Sequence, residues 1–201
     1  STAVAWKGVK INIVDTPGHA DFGGEVERIL SMVDGAIVLC DAAEGPLPQT
    51  KFVLTKALAR GLRPIVVINK VDRGDARPDE VHKEVFDLFA ALGATDEQLD
   101  FPTLFASGRQ GWADVALDGP RRDLAPMFDL ILSHVPPPRV ELDKPFAMNA
   151  AILESDNFLG RILTGRVEQG IGRINMPVRV LRQDGSVVET GRLTKLMTFS
   201  G

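Results

Sequence analysis

Asp15-Thr16-Pro17-Gly18-His19 follows an apolar strand pattern, Val9–Val14, and precedes a helical pattern that opens with Gly23-Gly24. A carboxylate at the C-terminal edge of a buried strand is placed to hold Mg²⁺, usually through water. Gly18 carries no side chain, so its N–H can approach a phosphate closely. His19 would project toward the same point. Turns between strand and helix also use Asp, Pro and Gly for conformational reasons alone, so this segment by itself leaves both readings open.

Asn69-Lys70-Val71-Asp72 also ends an apolar strand pattern. A carboxylate there can accept two hydrogen bonds from N1–H and N2–H₂ of guanine. An asparagine can bond the other edge of the base, and a lysine stem can lie along the ring face. Adenine lacks that donor pair, and a site built to hydrogen-bond its substrate rejects analogues that leave it unpaired. Ala106-Ser107-Gly108 follows a further strand pattern. Ser107 could brace Asp72, and the Gly108 N–H could reach the guanine carbonyl. Each motif alone is weak. Together they fall in order after separate strands, at the sheet edge where open α/β folds bind ligands.

The elements that must position these residues alternate. Val9–Val14, Gly35–Asp41, Pro64–Asn69 and Phe101–Ala106 read as strands. Between and after them, Phe22/Val26/Ile29/Leu30/Val33, Val53/Leu54/Ala57/Leu58, Val81/Val85/Phe86/Leu88/Phe89/Leu92 and Leu124/Phe128/Ile131/Leu132/Val135 form helical stripes. That alternation predicts a mostly parallel sheet covered on both faces. Val135-Pro136-Pro137-Pro138 ends the last helix. Beyond the stiff link to Lys144-Pro145 the pattern becomes all-β, with strands expected at 146–153, 161–168, 178–183 and 192–198 and a turn at Asp184-Gly185. The expected domains are therefore 1–138 and 144–201.

The chain has 201 residues, 44% hydrophobic, with a net charge of −4. Residues 1–142 carry 15 Lys+Arg against 21 Asp+Glu, and residues 143–201 carry 8 against 6. Nucleic-acid binding by bulk charge is excluded. No apolar run approaches the roughly 18 residues needed to span a bilayer, and the first residues lack a signal-peptide pattern. The single cysteine, Cys40, lies in a strand pattern and reads as an inert core thiol suited to a reducing compartment. His82 reads as exposed and His134 as a helix-terminal residue, neither in a motif.

Asp15–Asp21 with Phe22-Gly23-Gly24-Glu25-Val26-Glu27-Arg28 resembles the switch II segment of translational GTPases. Ala42–Thr50 and Ala94–Pro102 resemble the ribosome-binding TypA/BipA family rather than the elongation factor G-like or LepA-like ones. Lys144–Gly201 is similar to the start of the β-barrel second domain. The resemblance implies a P-loop-GTPase-like α/β domain, incomplete at its N-terminus, followed by a truncated translation-factor barrel. It implies GTP or GDP with Mg²⁺ as ligands, a ribosomal partner of RNA and protein, and a cytoplasmic location.

By the same resemblance Asp15 is the switch II aspartate near Mg²⁺ and Gly18 senses the γ-phosphate. His19 orients the attacking water on the ribosome. Asn69, Lys70 and Asp72 bind guanine, supported by Ser107 and Gly108. Gly108 stands where the family more often has alanine. No G-x-x-x-x-G-K-[ST] occurs, which implies that GTP hydrolysis belongs to a longer parent and that this stretch alone is inactive. A non-hydrolysing module that docks on RNA or protein is the rival reading; an ATPase is disfavoured by Asp72. In the fold implied, strands 9–14 and 35–41 flank an absent central strand. Their inner edges are expected to close by direct pairing, by a strand swap, or through a partner or second copy.

Overall fold

A computed structural model describes residues 1–16 and 23–200. Contacts divide the chain into two units: Thr16–Pro138, and Ser1–Asp15 together with Arg139–Gly201.

The first of these is built on a four-stranded sheet in the order β3(Ile37–Asp41), β4(Ile65–Asn69), β5(Thr103–Ser107), β6(Trp112–Asp114). β3, β4 and β5 run parallel and β6 is antiparallel, so the sheet is mixed. Side chains alternate between faces along a strand. One face, with Val38, Cys40, Val66 and Ile68, packs on α2(Pro48–Ala59) and α3(Pro78–Ala91) through Leu54, Leu58, Val81, Val85 and Phe89. The other face, with Ile65, Val67, Leu104 and Ala106, packs on α5(Ala125–His134). The Ile/Val-rich β4 is thus buried on both sides, as expected of a central parallel strand. Gly35 is required just before β3, because an added Cβ would come within 2.7 Å of the Val135 side chain. α1(Gly23–Ser31) rests on α2 through Val26, Leu30 and Ala57.

The helices start and stop as the punctuation predicts. Proline opens α2, α3 and α5. Gly61 and Gly93 follow α2 and α3 with φ of +76° and +78°. A four-residue helix, α4(Asp96–Leu99), was not predicted. It is held by a Thr95–Gln98 capping box, and Gln98 Nε2 also donates to the Leu58 and Leu62 carbonyls.

One of the three closures expected for this sheet does not occur. Strand 9–14 forms as β2(Val9–Ile13), but it pairs antiparallel with the unpredicted β1(Thr2–Trp6), not with β3. The cause is a two-residue turn, Lys7-Gly8, with φ of 47° and 77°, which matches the twist of a tight hairpin. Direct closure of 9–14 onto 35–41 therefore does not occur. Among the described residues β3 is an edge strand, and Leu39, on its uncovered face, is 60% exposed.

In the second unit β7(Ala147–Asp156) pairs with β8(Gly160–Gln169), and β9(Pro177–Leu181) with β10(Val187–Arg192), all antiparallel. The all-β character is present, but the sheets remain separate two-stranded pairs, with no closed barrel ladder among the described residues. The strand expected at 192–198 falls earlier. The tight turn at Asp184-Gly185, closed by Asp184 Oδ1 on the Ser186 N–H at 2.8 Å, sends the chain straight back along β9.

Candidate functional site

β4 and β5 deliver their last residues to the same edge. Asn69 ends β4, Ser107 ends β5, and the Val71 N–H donates to the Ala106 carbonyl at 3.2 Å, so the two following loops are stitched together. Asn69 Oδ1 accepts the Gly108 N–H at 2.9 Å, which joins two of the sequence-predicted residues directly. Gly108 has no positive φ, and an added Cβ would sit 3.6 Å from the Asn69 amide, an ordinary contact. Alanine would fit there, so its replacement by glycine leaves the geometry intact.

Asp72 is exposed, and no hydrogen bond or ion pair engages its carboxylate among the described residues. An acceptor-only group left open beside a braced asparagine suits a ligand that brings two donors. Ser107 is fully buried and does not brace Asp72. Its Oγ accepts the Gln110 N–H at 3.2 Å and so shapes the turn that carries Gly108.

Lys70 adopts the left-handed conformation with φ of 64°. Its ammonium lies 2.9 Å from Asp41 Oδ2, across the parallel register in which Asp41 faces Asn69. Asp41 Oδ1 accepts the N–H groups of Ala43 at 2.8 Å and Glu44 at 3.2 Å. Burial would raise the Asp41 carboxyl, but the Lys70 bond and these two N–H groups outweigh it and bring it down to about 2. Arg73 chelates Asp75 at 2.9 and 2.8 Å and reaches Asp41 Oδ2 at 3.4 Å. Arg77 donates to the Ala43 carbonyl at 2.8 Å and pairs with Glu84. Sequence reasoning missed Asp41, Arg73 and Arg77. The available signal was Asp41 itself, a carboxylate ending an apolar strand beside the one that ends at Asn69.

Of the remaining predicted residues, Asp15 alone falls among the described ones. Asp15 is exposed and belongs to the other unit; the strand before it, β2, pairs with β1. Gly18 and His19 lie outside the described residues. Among the described residues no cluster of three His, Cys, Asp or Glu side chains could hold a metal ion. Cys40 is buried and its thiol is pushed up to about 11, mainly by burial, consistent with an inert core role. His82 is half-buried, 5.7 Å from the Phe101 ring centroid, rather than exposed. His134 ends α5 with Nε2 2.8 Å from the Arg63 carbonyl.

Residues 1–137 match the family model described as the elongation factor Tu GTP binding domain. The whole chain is 51% identical to the large ribosomal subunit assembly factor BipA of Synechocystis and 49% identical to that of Salmonella typhimurium, covering 34% and 33% of those proteins. The chain thus spans about a third of the length of these curated relatives. Among solved structures, translation elongation factor SelB of Methanococcus maripaludis, crystallised with the GTP analogue GppNHp, superposes with a TM-score of 0.70. It is 21% identical, and the match covers 94% of this chain and 42% of that one.

Proposed function

Since this chain belongs to the elongation factor Tu GTP-binding domain family, we propose that it supplies the guanine-reading part of a BipA-type GTPase that works on the ribosome. The observation that carries this reading is the open Asp72 carboxylate in the loop after β4, three residues past the Asn69 that bonds Gly108. Asp72 would accept N1–H and N2–H₂ of guanine. Asn69, whose Oδ1 is taken by the Gly108 N–H, would turn its amide NH₂ to the other edge of the base, and Gly108 would act by fixing that amide, because its N–H is not free for the guanine carbonyl. The Lys70 stem would cover one face of the ring.

In the whole protein the reaction would be hydrolysis of GTP to GDP and phosphate. His19 would orient the attacking water when ribosomal RNA fixes its rotamer, and Gly18 would offer its N–H to the γ-phosphate. Asp15 would hold Mg²⁺ through water; the ion would neutralise charge on the phosphate oxygens. The name of the relatives, large ribosomal subunit assembly factor, supports an assembling or assembled large subunit as the partner. A cytoplasmic location would go with that partner. Domains at 1–138 and 144–201 remain our functional division, with the second as a translation-factor barrel. The 201-residue stretch alone would bind GTP weakly, because it contains no phosphate-loop motif.

The test is calorimetric titration of the whole protein that carries this chain with GDP, ADP and xanthosine diphosphate. Preference for GDP over both is expected. Equal binding of ADP and GDP would overturn the reading, and binding of RNA without any nucleotide would favour the non-hydrolysing module.

A further inference from the structure

Asp41 ends β3, one strand over from Asn69, and its carboxylate divides its two oxygens between different tasks. Oδ1 accepts the Ala43 and Glu44 N–H groups, closing the bend that continues with the Gly45 N–H on the Asp41 carbonyl at 2.9 Å. Oδ2 faces the other loop, accepting Lys70 Nζ at 2.9 Å and Arg73 Nη1 at 3.4 Å. The Asp41 side chain is 9% exposed, whereas that of Lys70 is 55% exposed. The anchor is therefore fixed and shielded, and the arm it holds is open to solvent.

A free lysine stem has many rotamers and loses them only at a cost. Here the stem is held at both ends. Its backbone is set in the left-handed conformation by the turn whose Lys70 carbonyl accepts the Arg73 N–H at 3.1 Å, and its ammonium is set by Asp41. The stem is thereby confined beside Asn69 and Asp72. Arg73, itself chelated by Asp75, approaches the same Asp41 oxygen and keeps the loop from swinging away.

We propose that Asp41 is a positioning residue of the base site, holding the Lys70 side chain pre-arranged so that an arriving guanine base meets an ordered wall. This rests on the guanine reading given above. It assigns Asp41 a role through Lys70, with no contact of its own to the nucleotide. Pre-arrangement of this kind raises affinity by removing an ordering cost from the binding step.

Asp41→Asn separates the two tasks. The amide oxygen can still accept the Ala43 and Glu44 N–H groups, so the bend survives. The amide NH₂ at the other position presents donors to the Lys70 ammonium, so the hold is lost. The experiment is a double-mutant cycle for binding of fluorescent GDP to the whole protein, using wild type, Asp41→Asn, Lys70→Ala and the double variant. Asp41→Asn should weaken GDP binding by about tenfold, the order of one charge-assisted hydrogen bond. In the Lys70→Ala background it should cause no further loss, because nothing is left to position.

Thermal unfolding of each variant checks that the domain remains folded. Amide exchange without nucleotide should also show the Arg73 N–H less protected in Asp41→Asn than in wild type. Wild-type affinity in Asp41→Asn overturns the proposal. So does the same loss with and without Lys70, which would mark Asp41 as structural only. In both cases wild type still prefers GDP to ADP, so the guanine reading stands. If wild type shows no such preference, that reading falls and takes this role with it.

Discussion

β4 and the β7–β8 pair make opposite use of the backbone. β4 is five residues long, and four of them are buried. β7 and β8 are ten residues each and share the longest ladder of the described strands, yet only Ala151 in them is buried. A ladder satisfies backbone groups, but net hydrogen-bond gains are modest because the unfolded chain bonds to water. Apolar burial supplies the larger stabilisation and, through close packing, the stiffness. Asn69, Lys70 and Asp72 emerge from the strand that is packed on both faces. The base recognition proposed for them needs that support, whereas the long hairpin offers its surface without a comparable core.

The largest test of this contrast is Phe89→Ala. Phe89 is fully buried against the β3–β4 face and 4.5 Å from the Phe101 ring centroid. Losing it should cost about 3–5 kcal/mol. Trp112, buried at the sheet end, reports this unit by fluorescence in a Trp6→Phe background. A loss within about 0.5 kcal/mol, the small effect expected of surface sites, would show that β4 is not held as described.

Gln98→Ala should follow, at about 1–3 kcal/mol. It removes the bonds to the Leu58 and Leu62 carbonyls and half of the α4 capping box. The same denaturation experiment measures it, and Thr95→Ala should cost less because only the cap is lost.

A third effect depends on pH. The Asp41 carboxyl lies near 2 when folded, against an ordinary value of about 4. A depressed folded value means stabilisation that is complete above about pH 4 and is lost as pH falls toward 2. The difference in denaturation midpoint between wild type and Asp41→Asn should therefore shrink across that window. A constant difference would contradict the ion pair.

The smallest effect is Phe158→Ala. Phe158 lies at the β7–β8 tip and is 99% exposed. Stability should stay within about 0.5 kcal/mol of wild type, measured by urea denaturation followed through Trp6. A larger loss would mean that the hairpin tip has packing not seen here.

What was legible in the sequence follows the range of the forces involved. Periodicity exposed β4, α2, α3 and α5, because apolar faces repeat locally. Loop motifs exposed Asn69, Asp72, Ser107 and Gly108, because strand ends are marked by where the apolar run stops. β1 escaped because Thr2–Trp6 is only five residues long and two of them are alanines, which are weak strand formers, and the neighbour of β2 stayed open because alternation states a face and not a partner. The decisive signal was the Lys7-Gly8 turn. Asp41 with Lys70 escaped for a similar reason: the contact spans 29 positions and exists only once β3 and β4 lie in register. Ser107 was placed correctly at its strand end but given the wrong partner, because a hydroxyl bonds whichever N–H the turn brings to it.

The central claim, that Asp72 reads guanine, is tested most directly by Asp72→Asn in the whole protein, with GTP competed against xanthosine triphosphate. Asparagine replaces one acceptor with an NH₂ donor, which meets the N2–H₂ of guanine but the carbonyl of xanthine. The cost for GTP should be several kcal/mol, on the order expected for losing a buried hydrogen-bond pair. The mutant should therefore prefer xanthosine triphosphate while its phosphate and Mg²⁺ requirements stay unchanged. A mutant that keeps the wild-type preference for GTP would contradict the assignment.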